Sequence, residues 1–263
     1  MKPYLAVLNA RARVLLQYRT AAMAGVATQI FWGWIRVSVF TAFYASGSAA
    51  PPLSLADTVT YLWLTQALLV LLPMRVDGEV QAMVRDGTVA YELVRPADLY
   101  WYWFTRQLAA RSVPTMLRAS TLVLPAMLLF DMGLPAGLAA AGWFLLGLAG
   151  ALLLSSAFST LMAITLLWTV SGEGIARLMA LVGQFLSGSY IPVLLFPAWS
   201  QAALAALPFR GIMDTPFRLY LGNLSGMAAA GALLHQVLWT LALIAAGRAL
   251  LSRGLSRLVV QGG

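Results

Sequence analysis

Charge is what this sequence has least of. Only 10% of its 263 residues are Asp, Glu, Lys or Arg, against 61% hydrophobic, where a water-soluble domain carries about 25% charged residues. A soluble fold of this length would still have to cover its core with polar surface, and the side chains for that are missing. The surroundings are therefore largely lipid, and the chain is expected to be a polytopic membrane protein. Cysteine is absent altogether, which excludes disulfides, thiol nucleophiles and cysteine metal sites. Lys2 is the only lysine, so no glycine-rich phosphate loop ending in lysine exists and the chain cannot hydrolyse ATP by that route. His235 is the only histidine, which removes His-paired metal motifs and leaves little material for a His-based triad. Acids are also scarce within the apolar segments. Asp57, Asp131 and Asp214 fall outside their ends and the rest on the inner side, whereas an ion-coupled transporter normally holds carboxylates near the midplane.

What is present is a series of apolar runs. A spanning helix needs roughly 20 mostly apolar residues, and six segments qualify: Thr20 to Tyr44, Asp57 to Leu72, Ser112 to Phe130, one within Leu134 to Val170, Ile175 to Leu195, and Gly226 to Leu251. Arg118, Pro114 and Pro125 interrupt the third, which survives as a span if Arg118 snorkels to the headgroups. The fourth is long enough for one tilted helix or, barely, two. Counting it once, with the N-terminus inside, places all the basic residues on the inner side except Arg36, Arg210 and Arg218. That bias is what the positive-inside rule predicts, so the expectation is an all-α protein with six transmembrane helices and both termini cytoplasmic. Residues 1–263 then form a single transmembrane domain. The net charge of +8 reads as topology and lipid-headgroup contact rather than nucleic-acid binding, because no basic tract interleaved with aromatics exists.

Three stretches differ from the spans. Residues 1–19 mix Leu5, Val7, Leu8, Val14, Leu15 and Leu16 with Asn9, Arg11, Arg13 and Gln17 at helical spacing, which predicts an amphipathic helix along the inner interface. Residues 187–223 are apolar but broken by Pro192, Pro197, Pro208 and Pro216, which predicts short outer, re-entrant helices between spans five and six. The third is the charged inner segment 75–104, containing MVRDGTVAYELVRP at 83–96. Val80, Met83 and Val84 recur at i, i+3 and i+4, giving one apolar helical face. Asp86-Gly87 ends that helix as a turn, and Arg95-Pro96 ends the next short element. The aromatics Tyr100, Trp101, Tyr102 and Trp103 are expected at the membrane interface where span three enters. Arg36, within FWGWIRVSVF, is the one fixed charge inside a span; it is either a functional site or a cap on a helix contact.

The order of these parts resembles the ABC-2 type permease of ATP-binding-cassette exporters. LLQYR (Leu15 to Arg19), RDGTVAYELVRPADLYWYWF (Arg85 to Phe104) and LSGSYIPVLLFPAW (Leu186 to Trp199) are similar to motifs of the short bacterial permeases, and the resemblance covers essentially the whole chain. It implies a subunit of the inner (plasma) membrane that pairs with a second permease, identical or homologous, and with two copies of a separate ABC ATPase. ATP and Mg would be held by that ATPase, and no cofactor by this chain. It also implies that the inner segment carries a coupling helix, to which Arg85, Asp86, Gly87, Tyr91, Glu92 and Arg95 correspond, and that Glu173, in the Gly-Glu-Gly turn between spans four and five, approaches the ATPase. The cargo is not implied. An apolar, charge-poor pathway favours an amphipathic or lipid-like one, and export is the family's habit. An ion-coupled secondary transporter, an intramembrane enzyme and a lipid-organising protein stay open as alternatives, the first two weakened by the scarcity of acids and of catalytic side chains.

Overall fold

Apolar runs form the helices here, and three of them start on a capping side chain. The computed structural model describes residues 2–17, 25–47, 51–94, 97–169 and 172–255. All regular elements among them are helical: α1 (Lys2–Gln17), α2 (Val26–Ser46), α3 (Leu55–Ala67), α4 (Gly78–Arg85), α5 (Val89–Leu93), α6 (Leu99–Leu129), α7 (Leu138–Thr169), α8 (Glu173–Leu186), α9 (Ala198–Ala206), α10 (Asp214–Tyr220) and α11 (Gly226–Leu255). Short 3-10 turns lie at Leu69–Leu71, Val193–Leu195 and Phe209–Gly211. Ser54, Asp77 and Asp98 cap α3, α4 and α6 by accepting hydrogen bonds from first-turn amides, the role for which short polar side chains are favoured.

One helix and the second half of another occupy the interior. Every residue of α3 from Thr58 to Ala67 is buried, and a helix enclosed on all sides must be apolar all round or bond its own polar groups. Thr60 and Thr65 do the latter, donating to the carbonyls of Ala56 and Tyr61 at 3.0 and 2.9 Å. The second is α7, against which α6, α10 and α11 pack. Its buried Ser156, Ser159 and Thr160 return their hydroxyls to carbonyls four residues back at 2.6 to 2.9 Å, so polar residues sit in an apolar helix without an unmet donor.

Residues 187–225 close one end of this bundle. The amide of Asp214 donates to the carbonyl of Ser187 (3.1 Å). Tyr61 of α3 donates to the Asp214 carboxylate (3.2 Å), and Arg218 lies 3.7 Å from it. Tyr220 donates to the Gly133 carbonyl, and the Gln236 amide of α11 bridges the carbonyls of Gly147 and Gly211. Asp214, expected beyond a segment end, is in fact buried at 1% exposure. Its partners make that burial tolerable, because an unpaired buried carboxylate would cost several kcal/mol (order of magnitude).

The apolar segments and the helices agree in part. The long stretch 134–170 is one helix of 32 residues. Pro114 and Pro125 lie inside α6 without ending it, and α6 starts at Leu99, well before the expected span. That start absorbs the aromatic run: Tyr100 and Trp103 are 1% and 0% exposed and belong to the core, while Trp101 stays partly exposed. Positions 100, 103 and 104 share one helical face, and that face packs inward, which corrects the expectation of an interfacial belt. The fifth segment is helical only to Leu186, followed by turns. Among the described residues, α6, α7 and α11 are the helices long and apolar enough to cross a membrane; α3 has 13 residues and α8 has 14. Tyr18, Arg19, the first residues of the expected first span, Val170 and Arg257 lie outside the described residues.

Close contact between α2 and α3 depends on Gly33. A Cβ there would stand 2.6 Å from the fully buried Trp63 ring, and Trp63 is held on its other side by Phe130, with ring centroids 4.8 Å apart. Gly33→Ala is therefore expected to lower stability by about 1–3 kcal/mol, the usual cost of overpacking, despite a helix-propensity gain of about 1 kcal/mol. Thermal unfolding in detergent, followed by size-exclusion fluorescence, reads this as a lower midpoint. An unchanged or raised midpoint would mean that α2 does not pack on α3 through this glycine.

Candidate functional site

The charged segment that follows Pro73 folds as two short helices set at a corner. Asp77 begins it: Oδ1 accepts from the amides of Glu79 (3.0 Å) and Val80 (3.3 Å), capping α4. The predicted apolar face of α4 then points inward, with Val80 at 0% exposure and Met83 and Val84 packed against the core. Asp86 closes α4 through its amide, and Gly87 takes φ 71° to reverse the chain, a conformation glycine adopts without steric cost. Val89, at 1% exposure, anchors α5 beside Val80 in the same core.

A buried arginine fastens this corner. Arg106 of α6 is 5% exposed, and its Nη2 donates to both oxygens of Asp77 (3.2 Å each) and to Glu79 Oε2 (2.9 Å). Gln107 adds a bond to Asp77 Oδ2 at 3.1 Å. From the other side Arg11 of α1 forms a bidentate pair with Glu79. Arg11 and Arg106 together hold the Glu79 carboxyl far below the usual carboxylate range, at about 2. A second acid ties three helices: Asp98 caps α6, its Oδ2 receives Arg248 of α11 at 3.2 Å, and its amide donates to the Tyr4 hydroxyl of α1 at 3.1 Å. The corner is thus joined through α6 to the first and last helices.

Of the residues expected to make an outside contact, Arg85, Asp86 and Gly87 are exposed at the corner, and Tyr91 is 75% exposed. Val94, beyond α5, is 83% exposed. Glu92 is different: at 6% exposure it faces the protein. Arg95 lies outside the described residues. Glu173, at the start of α8, is exposed and pairs with Arg177 at 3.4 Å. The neighbouring Gly172 sits so close to Val76 that a Cβ would be 3.0 Å from its Cγ2, so Glu173 and the charged segment occupy the same end of the bundle. Arg36 is elsewhere. Its Nη2 donates to the carbonyls of Ser189 and Tyr190, the latter at 3.0 Å, and its guanidinium lies 5.7 Å from the Tyr190 ring centroid. It supplies donors to backbone left open where the chain turns after α8.

A family model described as ABC-2 family transporter protein matches residues 27–262. The chain belongs to the ABC-2 transporter family. No curated protein and no solved structure matches it. Membership makes this chain a membrane transport component, and the matched region takes in α2 to α11, including the corner and its buried arginine.

Several residues that hold the ABC-2 chain's corner in place are not evident from its sequence. Asp77 could have been read as a cap, since Asp-Gly-Glu ahead of apolar spacing is a helix-start signal. Arg11 and Arg106 could not, because their pairing with Glu79 spans 68 and 27 residues. Arg111 is similar: its Nη1 donates to the carbonyls of Val70 and Leu72, both at 2.8 Å, where α3 gives way to the turn before Pro73.

The Glu79 network makes the docking of α1 sensitive to acid. Because the folded carboxyl titrates near 2 rather than at its ordinary 4.5, the stabilisation is complete above 4.5 and disappears as pH falls through about 2. The chain has no cysteine, so spin labels placed at Val14→Cys and Ala82→Cys report the α1–α4 distance directly. The distribution is expected to stay narrow from neutral pH to 4.5 and to broaden towards about 2. Glu79→Gln should broaden it at neutral pH already; a narrow distribution in that variant would show that α1 is held by packing alone.

Proposed function

We propose that this ABC-2 chain is the transmembrane permease subunit of an ATP-binding-cassette exporter, driven by a separate ATPase through the α4–α5 corner. The observation that carries the reading is the combination of exposure and anchorage there. Arg85, Asp86 and Tyr91 face outward, while Asp77 and Glu79 at the base of α4 are clamped to the buried Arg106 of α6. A push on the corner therefore reaches a 31-residue helix through charge-assisted bonds, and such bonds resist displacement more than a solvated loop would. Glu173, on the same end, provides a second point of contact.

In this reading α2, α3, α6, α7, α8 and α11 are the six spans, with both termini cytoplasmic in the inner (plasma) membrane. The shorter α3 and α8 are completed by the turns that follow them. The amphipathic α1 lies along the inner interface, where Leu5, Val14 and Leu16, which are 55%, 44% and 49% exposed, meet lipid. Residues 187–223 cap the pathway on the outer side. Members of this family typically work with an ABC ATPase; two copies of it, carrying ATP and Mg, would serve this chain and a second permease, identical or homologous. Nucleotide binding closes the ATPase pair, the corner moves as a rigid lever, and the accessible side of the path between the permeases changes. The ATPase can shift that equilibrium only through contacts that differ between the two states.

Purification of the full chain from its native membranes, followed by ATP-turnover and transport assays in proteoliposomes, tests this. A co-purifying ATPase is expected. Tyr91→Ala and Arg85→Ala should each weaken its association by about 2 kcal/mol, the scale of aromatic and arginine hot spots, and lower transport while the permease remains in the membrane at its normal level. Transport that proceeds on a proton or sodium gradient with no ATPase would instead favour an ion-coupled secondary transporter.

A further inference from the structure

Two cavities meet at Arg36. One, of about 380 Å³, opens between α2, the end of α3 and α8, and is lined by Gln29, Gln66 and Gln184 together with Trp32, Arg36 and Tyr190. The other, of about 620 Å³, continues along α2 past Val39, Phe40 and Phe43. Trp32, Arg36 and Tyr190 line both. Each is of the size that holds a small organic ligand, about 300–1,000 Å³.

The polar cavity holds hydrogen-bonding capacity that the fold does not use. Gln29 and Gln66 are 7% and 4% exposed. Gln29 Oε1 has no partner, and the Gln66 amide makes no hydrogen bond among the described residues. Gln184 Nε2 contacts only the Met74 sulfur, at 3.4 Å, and sulfur is a weak acceptor. Arg36 uses Nη2 for the Ser189 and Tyr190 carbonyls, leaving Nη1 and Nε without a hydrogen bond among the described residues. A buried acceptor left unmet, such as Gln29 Oε1, costs about 1–3 kcal/mol, and leucine there would pack α2 against α3 without that cost. Donors from three helices therefore converge on one space, and among the described residues lining it the ionic side chain is a cation.

We propose that the paired cavities bind one amphiphile, its anionic head (carboxylate, phosphate or sulfate) at Arg36 among the three glutamines and its apolar tail along Val39, Phe40 and Phe43. This rests on the permease reading and names the cargo class that such a permease would carry. Among the described residues no acid lines either cavity to repel the head, and the second cavity is walled almost wholly by apolar side chains. Arg36 at the junction fixes which end of the ligand lies where.

Trp32 borders both cavities and serves as the reporter. The purified full chain in phosphatidylcholine nanodiscs is titrated with chain-brominated dodecyl phosphate, with dodecyltrimethylammonium brominated alike, and with inorganic phosphate. Saturable quenching by the phosphate amphiphile is expected, lost in Trp32→Phe and absent for the cation and for inorganic phosphate. Arg36→Gln should weaken binding about tenfold or more, as for a charged hydrogen bond, and Arg36→Lys should recover most of it. Gln29→Leu with Gln66→Leu should weaken it severalfold, with the helical circular dichroism unchanged. If phosphatidic acid in the disc competes, the ligand is a bilayer lipid; if it does not, the ligand is a single-chain amphiphile from outside the bilayer, and both results support the site. Equal quenching by the cation overturns the proposal. So does wild-type affinity in the double glutamine variant, whether or not Arg36→Gln folds. Because binding to the isolated chain needs no ATPase, failure here leaves the permease reading standing, and failure to find an ATPase leaves this site standing.

Discussion

The architecture depends on the burial of the Arg106 guanidinium. A cation at 5% exposure must find acceptors or lose several kcal/mol (order of magnitude), and the acceptors come from the charged segment: Asp77 and Glu79. This requirement fixes where α4 begins, because Asp77 is at once the acceptor for Arg106 and the cap of α4. It fixes α1 as well, since the second face of Glu79 is taken by Arg11. One buried charge on α6 thus helps to place both α4 and α1.

A related device recurs where helices end inside the protein. Helices that end inside a protein leave carbonyls that water cannot reach. At the end of α3, Arg111 bonds the carbonyls of Val70 and Leu72, and Ser155 bonds that of Leu71. After α8, Arg36 takes those of Ser189 and Tyr190. Arginine suits the task because its rigid fork offers several donors at fixed angles and its charge cannot be lost. In a chain with one lysine, the abundance of arginine is partly a consequence of how its helices are interrupted.

Much of this could be read from the sequence because it is local. The helical class, the break at Asp86-Gly87, the apolar face of Val80, Met83 and Val84 and the interrupted segment after Leu186 follow from periodicity and turn residues, and the single long helix of 134–170 from the distribution of basic residues. The aromatic run was misplaced because composition cannot tell an interfacial tyrosine from a core one; what decides is that Tyr100, Trp103 and Phe104 share a face, and that face meets α7 and α11. Glu92 shows the same limit. It stands one residue from the exposed Tyr91 and is itself buried. The clamp on Arg106 and the cavity glutamines were out of reach for a different reason: each depends on side chains from helices distant in sequence, and spacing within one helix carries no trace of them.

Asp98 has a consequence for how the chain comes to be assembled. Its backbone amide meets Tyr4, 94 residues upstream, and its carboxylate meets Arg248, 150 residues downstream. Contacts so far apart form late, since the intervening chain must be ordered first. During synthesis α1 and α6 can approach as soon as both exist, yet the carboxylate lacks its arginine until the last helix is made. The finished junction therefore needs α11 in place, and a chain cut before α11 would leave the capping acid of α6 without Arg248.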